Sequence, residues 1–345
     1  MAAVTIQDVS KKARVAPSTV SLVLNGKNRV KPETREHVLK VIKQLGYVHR
    51  ERRRHDTPMS EPLHFAMQYL SEPSSPRAKA PTLVQAYFQG VVEELQKNQC
   101  QISLIGIGQQ FWEDPTLQTA LEMKTWDGLI LSSIDLSARK NTDFLSGLGI
   151  PVVAINKYPV RTEFSSVAAD YYTGGRDAAA YLANHGHQKM VFAGLSRLHW
   201  PTRERYRGMR DELRARSLPA PHALIPLIQQ EIMDHQEIVA FCLEKVKQGV
   251  TAVMVSDGSA PVVETALKQA GYRVPEDVSL VGCDGTGVTI GSRKLELTTL
   301  DFDKKSLGRL AVQILMESNR ANSNVIHTTK TIKMTLVPGQ TVSNV

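Results

Sequence analysis

Cysteine, long apolar runs and catalytic motifs are all scarce in this 345-residue chain. Each scarcity excludes a class of protein. Three widely spaced cysteines, Cys100, Cys242 and Cys283, make neither a disulfide framework nor a zinc ribbon and read as buried thiols of a reducing compartment. No apolar run approaches the roughly 18 residues of a membrane span. Met1–Ser10 lacks the apolar stretch of a secretory signal, so the expected location is the cytoplasm, with no membrane partner. Neither a Gly-x-Ser-x-Gly elbow, nor His-Glu-x-x-His, nor a phosphate-binding loop occurs. The run Gly285-Thr286-Gly287-Val288-Thr289-Ile290-Gly291 imitates a dinucleotide loop, but its last interval is one residue too long. His185 and His187 have no nearby carboxylate or cysteine and read as the end of a helix at Gly186 rather than a metal pair. No catalytic residue, cofactor or metal is expected.

Positive charge, by contrast, is concentrated. The chain carries 42 Lys and Arg against 34 Asp and Glu, a net +8. Residues 1–58 hold 13 of the basic and 5 of the acidic residues, leaving 29 of each for the rest. A basic head on a neutral body points to a polyanion bound at one end, and nucleic acid is the polyanion that fits best.

The head reads as three short helices. Thr5 and Asp8 make a capping-box-like start, followed by Ile6, Val9 and Ala13 at helical spacing. Pro17 suits the first position of a second helix, whose apolar stripe is Val20, Val23 and Leu24. Pro32 begins a third, carrying Val38, Val41, Ile42 and Leu45 to Gly46. The outward positions of the second helix are Ser18, Thr19 and Ser21, small hydroxyls that allow a helix to enter the major groove. Lys27, Arg29 and Lys31 follow and suit phosphate neutralisation. Helix-turn-helix is the reading.

These residues carry a resemblance. Thr5-Ile6-Gln7-Asp8-Val9-Ser10-Lys11-Lys12-Ala13, Ser18-Thr19-Val20-Ser21, Val23-Leu24-Asn25-Gly26, Pro32-Glu33-Thr34-Arg35 and Leu45-Gly46-Tyr47 resemble the DNA-binding head of the lactose-repressor (LacI/GalR) family of bacterial regulators. Trp126-Asp127-Gly128, Ile150-Pro151-Val152-Val153, Arg205 to Gly208, Val274 to Gly282 and Leu297-Thr298-Thr299 extend the likeness over nearly the whole chain. It implies a homodimer that binds double-stranded operator DNA, most simply as a repressor, under control of a small, sugar-like effector. The DNA-facing residues it and the chemistry suggest are Thr5, Ile6, Pro17, Ser18, Thr19, Ser21, Leu22, Asn25, Arg29, Lys31, Thr34 and Tyr47, with Arg52, Arg53 and Arg54 in the linker. Pro17, Ser18 and Leu22 stand where family members read base edges, and Leu22 offers only apolar contact there.

The head departs from the family in three places. Arg14 occupies a turn position that favours Gly, at a cost of about 1 kcal/mol if its φ is positive. Ala16 replaces the usual capping Ser before Pro17. Where the family has a hinge helix with a Leu wedge, this chain has Arg50-Glu51-Arg52-Arg53-Arg54-His55-Asp56. Asp56 at the wedge position gains no apolar burial and meets phosphate repulsion, so weak DNA bending is expected.

From Leu63 on, β-branched runs alternate with helical patterns, first from Leu63 to Asn156 and again from Ser166 to Cys283, which predicts two doubly wound α/β lobes. The resemblance implies a periplasmic-binding-protein-like body with three crossings between lobes. The expected division is a helix-turn-helix domain over 1–49, a basic linker over 50–61 and an effector and dimerisation domain over 62–345. Its N-lobe is expected at about 62–158 and 287–316, and its C-lobe at about 159–286 and 317–345. The fold class is α plus α/β.

Ligands of open parallel sheets sit beyond the strands' carboxyl ends. On a helical wheel Arg203, Arg207, Arg210 and Arg214 share one face, whereas Arg205 points inward with Met209 and Leu213. An inward arginine needs an anionic or hydroxyl-rich partner, either an effector, as the family's Arg-x-x-Gly position implies, or an interlobe carboxylate. Asp257 and Asp170 each follow a strand, where the family places effector-binding carboxylates, and each equally suits a helix N-cap. The alternative function from another class is a sugar- or nucleotide-using α/β enzyme with a basic head.

Overall fold

The computed structural model describes residues 6–24, 30–45, 63–69, 81–106, 125–132, 139–156, 164–194, 200–224, 235–320 and 327–345. The assignments to Thr5, Asn25, Arg29, Tyr47, Arg52, Arg53 and Arg54 lie outside these residues.

In the head, α1 (Ile6–Ala13), α2 (Pro17–Leu24) and α3 (Pro32–Leu45) enclose a small core of Val9, Ala13, Val20, Val23, Val38 and Val41. Arg14 in the turn between α1 and α2 adopts φ 51°, the left-handed conformation that costs a non-glycine residue about 1 kcal/mol. With Ala16 before α2, the Thr19 and Val20 amides donate to the Ala16 carbonyl, and no side-chain oxygen of Ala16 is available to cap them.

The body contains two six-stranded sheets. The first has the order β13 (Thr329–Ile332), β5 (Ser165–Ala169), β4 (Val152–Ile155), β3 (Gly128–Leu131), β1 (His64–Tyr69), β2 (Gln101–Gly106). The second runs β14 (Thr335–Val337), β12 (Thr298–Asp301), β9 (Ser279–Gly282), β8 (Ala252–Met254), β6 (Met190–Ala193), β7 (His222–Leu224). All pairs are parallel except β12 with β14. β3, β4, β5, β6, β8 and β9 are buried along their length, which is why they read as continuous apolar runs rather than alternating ones. A hairpin of β10 (Thr289–Ile290) and β11 (Leu295–Glu296) leads into β12.

The lobe boundaries differ from expectation. β5 belongs to the first sheet, where Val153 pairs with Ser165 and Ile155 with Val167, so the N-lobe continues to Ala169 rather than ending at 158. β12, expected in the N-lobe, pairs with β9 in the second sheet. β13, expected in the C-lobe, pairs with β5 in the first. The chain therefore crosses after Ala169, after Asp301 and after Ile332. An apolar strand buried on both faces satisfies either sheet equally, so periodicity does not assign it to one.

Helices cover both sheets. In the N-lobe, α4 (Pro81–Lys97) packs along α10 (Lys304–Arg320), and α5 (Arg139–Gly147) follows β3. In the C-lobe, α6 (Tyr171–Asn184) packs along α7 (Trp200–Ala215), while α8 (His235–Lys247) and α9 (Ala260–Gln269) contact each other.

His187 lies just beyond the α6 C-cap His185, fully buried, its Nδ1 2.8 Å from Thr251 Oγ1. Burial lowers its pKa to about 4 from 6.5. Because the unfolded chain takes up this proton first, His187 leaves stability intact above pH 6.5 and subtracts from it as pH falls toward 4, by about 3 kcal/mol in total. Urea titrations at pH 7 and pH 4.5 should show that loss in the wild type and a shallower one in His187→Gln. Equal pH slopes in the two proteins would contradict it.

Candidate functional site

The carboxyl ends of both sheets converge on one group of buried side chains. The α7 face is divided as the helical wheel predicts, with Arg203, Arg207, Arg210 and Arg214 exposed and Arg205 buried. Gly208 brings α7 against α6, since a Cβ there would lie 2.0 Å from the Tyr172 carbonyl oxygen. That close approach sets the Arg205 guanidinium 5.0 Å over the ring of Tyr171, the first residue of α6. Tyr171 meets Trp200 and Phe302 edge to face, with centroids 5.5 and 6.1 Å away. This is an aromatic floor with one cation above it.

Arg205 Nη1 lies 3.5 Å from Asp284 Oδ1 and contacts Cys283 Sγ. Burial raises the Asp284 pKa, and the Arg205 guanidinium opposes the shift. Burial likewise pushes the Cys283 thiol well above its usual range, which leaves it protonated. On the N-lobe side, Asn156 follows β4 and its Nδ2 donates to the Tyr87 hydroxyl of α4. Burial raises the Tyr87 phenol, and nearby Asp284 raises it further. Arg205 Nε and Asn156 Oδ1 are buried with no partner among the described residues. A buried guanidinium N–H and a buried amide oxygen without partners cost stability that a bound hydroxyl-bearing molecule would restore.

The two carboxylates singled out from sequence both accept hydrogen bonds from neighbouring backbone. Asp257 is fully buried, and its Oδ1 accepts from the Cys283 amide at 2.7 Å, the Asp284 amide at 3.0 Å and Thr299 Oγ1 at 2.8 Å. Its Oδ2 accepts from the amide and hydroxyl of Thr286 at 2.8 and 2.9 Å. Five internal donors meet the carboxylate, so Asp257 shapes the 283–286 loop. Asp170 caps α6, accepting from the Thr173 amide at 3.0 Å, and its own amide donates to Ile332 at the third crossing. The carboxylate that faces Arg205 is Asp284, which sequence reasoning missed. Its signal was an acidic residue directly after the buried run Ser279–Gly282 and Cys283, followed by Gly285.

In the head, Pro17 and Lys31 are exposed and Thr19 and Thr34 half-buried, while Ile6, Ser18, Ser21 and Leu22 lie on α1 and α2. Among the described residues, no helix is long and apolar enough to cross a membrane.

Comparison with known proteins gives two family matches. Residues 5–49 match the model of bacterial regulatory proteins of the lacI family, and residues 179–342 match a periplasmic binding protein-like domain. Catabolite control protein A of Streptococcus mutans serotype c is 26% identical over 319 residues, 90% of each chain. A solved complex of the transcriptional regulator CelR with cellobiose is 25% identical, with a TM-score of 0.69 over 98% of this chain and 99% of that one. The lac repressor dimer bound to operator and an anti-inducer shares the fold at 19% identity, with a TM-score of 0.64 over 99% of this chain and 100% of that one.

Proposed function

Because the chain belongs to the LacI/GalR family of bacterial transcriptional regulators, we propose that it is a homodimeric repressor whose hold on operator DNA is set by a small, sugar-like molecule in the interlobe cleft. The observation that carries the effector half is the buried Arg205–Asp284 pair on an aromatic floor, with Arg205 Nε and Asn156 Oδ1 unpartnered among the described residues. Vicinal hydroxyls of a sugar both donate and accept, so one ring answers a carboxylate, a guanidinium and an amide oxygen together. Its C–H faces suit Tyr171 and Phe302. Arg205, Asp284 and Asn156 are the proposed contacts, with Asp257 holding the loop that presents Asp284 and Asp170 capping the helix that begins at Tyr171. Cellobiose, with which the CelR relative forms its complex, is a molecule of this class.

The head supplies the DNA half. Serine and threonine hydroxyls on α2 and the basic residues around it position the helix in the major groove, and two heads in a dimer read a two-fold-related site. The reading is of a cytoplasmic regulator rather than an enzyme, in keeping with relatives that are DNA-binding regulators. Gel shifts on duplexes selected from a random pool test it. Affinity should fall steeply with salt, and removing residues 1–58 should abolish binding while the body stays folded, because those residues carry the whole excess charge. Undiminished binding by residues 59–345 would overturn the reading.

A further inference from the structure

The loop after β9 is fixed from one side by Asp257 and held from the other by a lysine across the hinge. Gly285, at φ 58°, donates its amide to Thr299 Oγ1 at 3.3 Å, and a Cβ there would lie 2.0 Å from Asp301 Oδ1. Only a glycine fits, and its carbonyl is turned outward to Lys304 Nζ at 2.9 Å. Lys304 is the first residue of α10, which packs on α4, β3, β4 and β5 of the N-lobe. The Gly285 carbonyl belongs to the C-lobe. The bond therefore crosses from one lobe to the other, one residue away from Asp284.

Lys304 is well placed to hold that bond. Its ammonium pairs with Asp301 at the end of β12, stands 5.0 Å over the Phe302 ring, and is only 14% exposed. Asp301 keeps the charge aimed at the loop, and Phe302 covers it from solvent. Behind it, α10 is tied to α4 by Lys305 and Arg309, both paired with Glu93 at 3.3 and 3.1 Å. Asp303 caps α10, accepting from the Ser306 amide at 3.0 Å. A displacement of the 283–286 loop thus meets a lysine backed by a rigid helix pair rather than a loose side chain.

We propose that Lys304 is the positioning residue that latches the lobes together, by bonding the loop that carries Asp284 to the N-lobe helix α10. Opening about the 301–303 crossing stretches Lys304 Nζ from the Gly285 oxygen before it disturbs the Asp257 network, so this bond biases the closed arrangement. Its consequence for regulation rests on the effector reading above, but the bias itself needs neither effector nor DNA.

The test is the distance between spin labels on Gln96→Cys of α4 and Gln269→Cys of α9, both exposed positions, in the full chain with Cys100→Ser and excess unlabelled protein. Electron–electron double resonance should give a predominantly short distance in the parent. Lys304→Met, which keeps an unbranched side chain of similar length and loses the ammonium donor, should raise a longer-distance population about tenfold. Lys304→Arg should restore the parent distribution, which a merely structural role would not require. Should Lys304→Met fail to fold, Asp301→Asn takes its place, with the longer distance again increased. An unchanged distribution in whichever variant folds would overturn the proposal. Because no ligand enters the measurement, that failure is distinct from failure to find an effector.

Discussion

Asp257→Ala should remove effector control altogether and destabilise the protein by about 4 kcal/mol, because this carboxylate holds the loop that carries Asp284. The substitution strands the amides of Cys283, Asp284 and Thr286 and the hydroxyls of Thr286 and Thr299, all donors to Asp257 at 2.7–3.0 Å. Some find water. Those at the base of the loop stay buried, and each orphaned donor costs about 1–3 kcal/mol. Asp284 then loses the backbone that aims it at Arg205. Urea denaturation measures the first effect, and sugar titration of the folded variant at low temperature measures the second. Asp257→Asn, which keeps one acceptor oxygen, should fall between. A loss below about 1 kcal/mol in Asp257→Ala would mean that the loop holds its shape without this hub.

Arg205→Ala should lower effector affinity by about 100-fold or more and leave operator affinity within about twofold. The large term arises because Asp284, part of the same buried site, loses the cation 3.5 Å away, and the ligand loses a charged donor. The small term follows from distance along the chain, since Arg205 lies in the C-lobe and the DNA-contacting groups in the head. Removing one member of a buried pair also costs stability, about 3 kcal/mol. Circular dichroism must therefore accompany calorimetry. Asp284→Asn tests the same pair from the other side and should weaken binding comparably. A normally responsive Arg205→Ala protein would place the effector elsewhere.

The residues differ in how much of this was legible in sequence. Arg205 was, because four arginines at helical spacing and one out of phase are a geometric statement that needs no tertiary information. The head was, because Pro17, Pro32 and the valines of three short helices punctuate their own boundaries. The turn at Arg14 was too, and its φ of 51° bears out the strain expected at a residue where glycine is usual. Asp284 was not. Asp257 and Asp284 both follow apolar strands, and only the fold of the 283–286 loop decides which carboxylate is filled by backbone amides and which is left facing the cleft. Asp170 was ambiguous for the same reason, and the Thr173 amide makes it a cap. The lobe of β5 was hidden because Val167 and Ala169 are buried on either assignment. Strand pairing over long sequence separation is a property of the whole chain and leaves no local mark.

The central claim is that one small molecule in the cleft and one DNA site at the head compete for, or reinforce, the same arrangement of lobes. The most direct measurement is of both affinities in one system, operator affinity with and without saturating sugar and sugar affinity with and without operator, using the whole 345-residue chain and a panel of mono- and disaccharides. The account predicts that at least one sugar changes operator affinity at least about fivefold, and that operator changes that sugar's affinity by the same factor, as linkage demands. A sugar that binds through Arg205 while leaving operator affinity unchanged would contradict it.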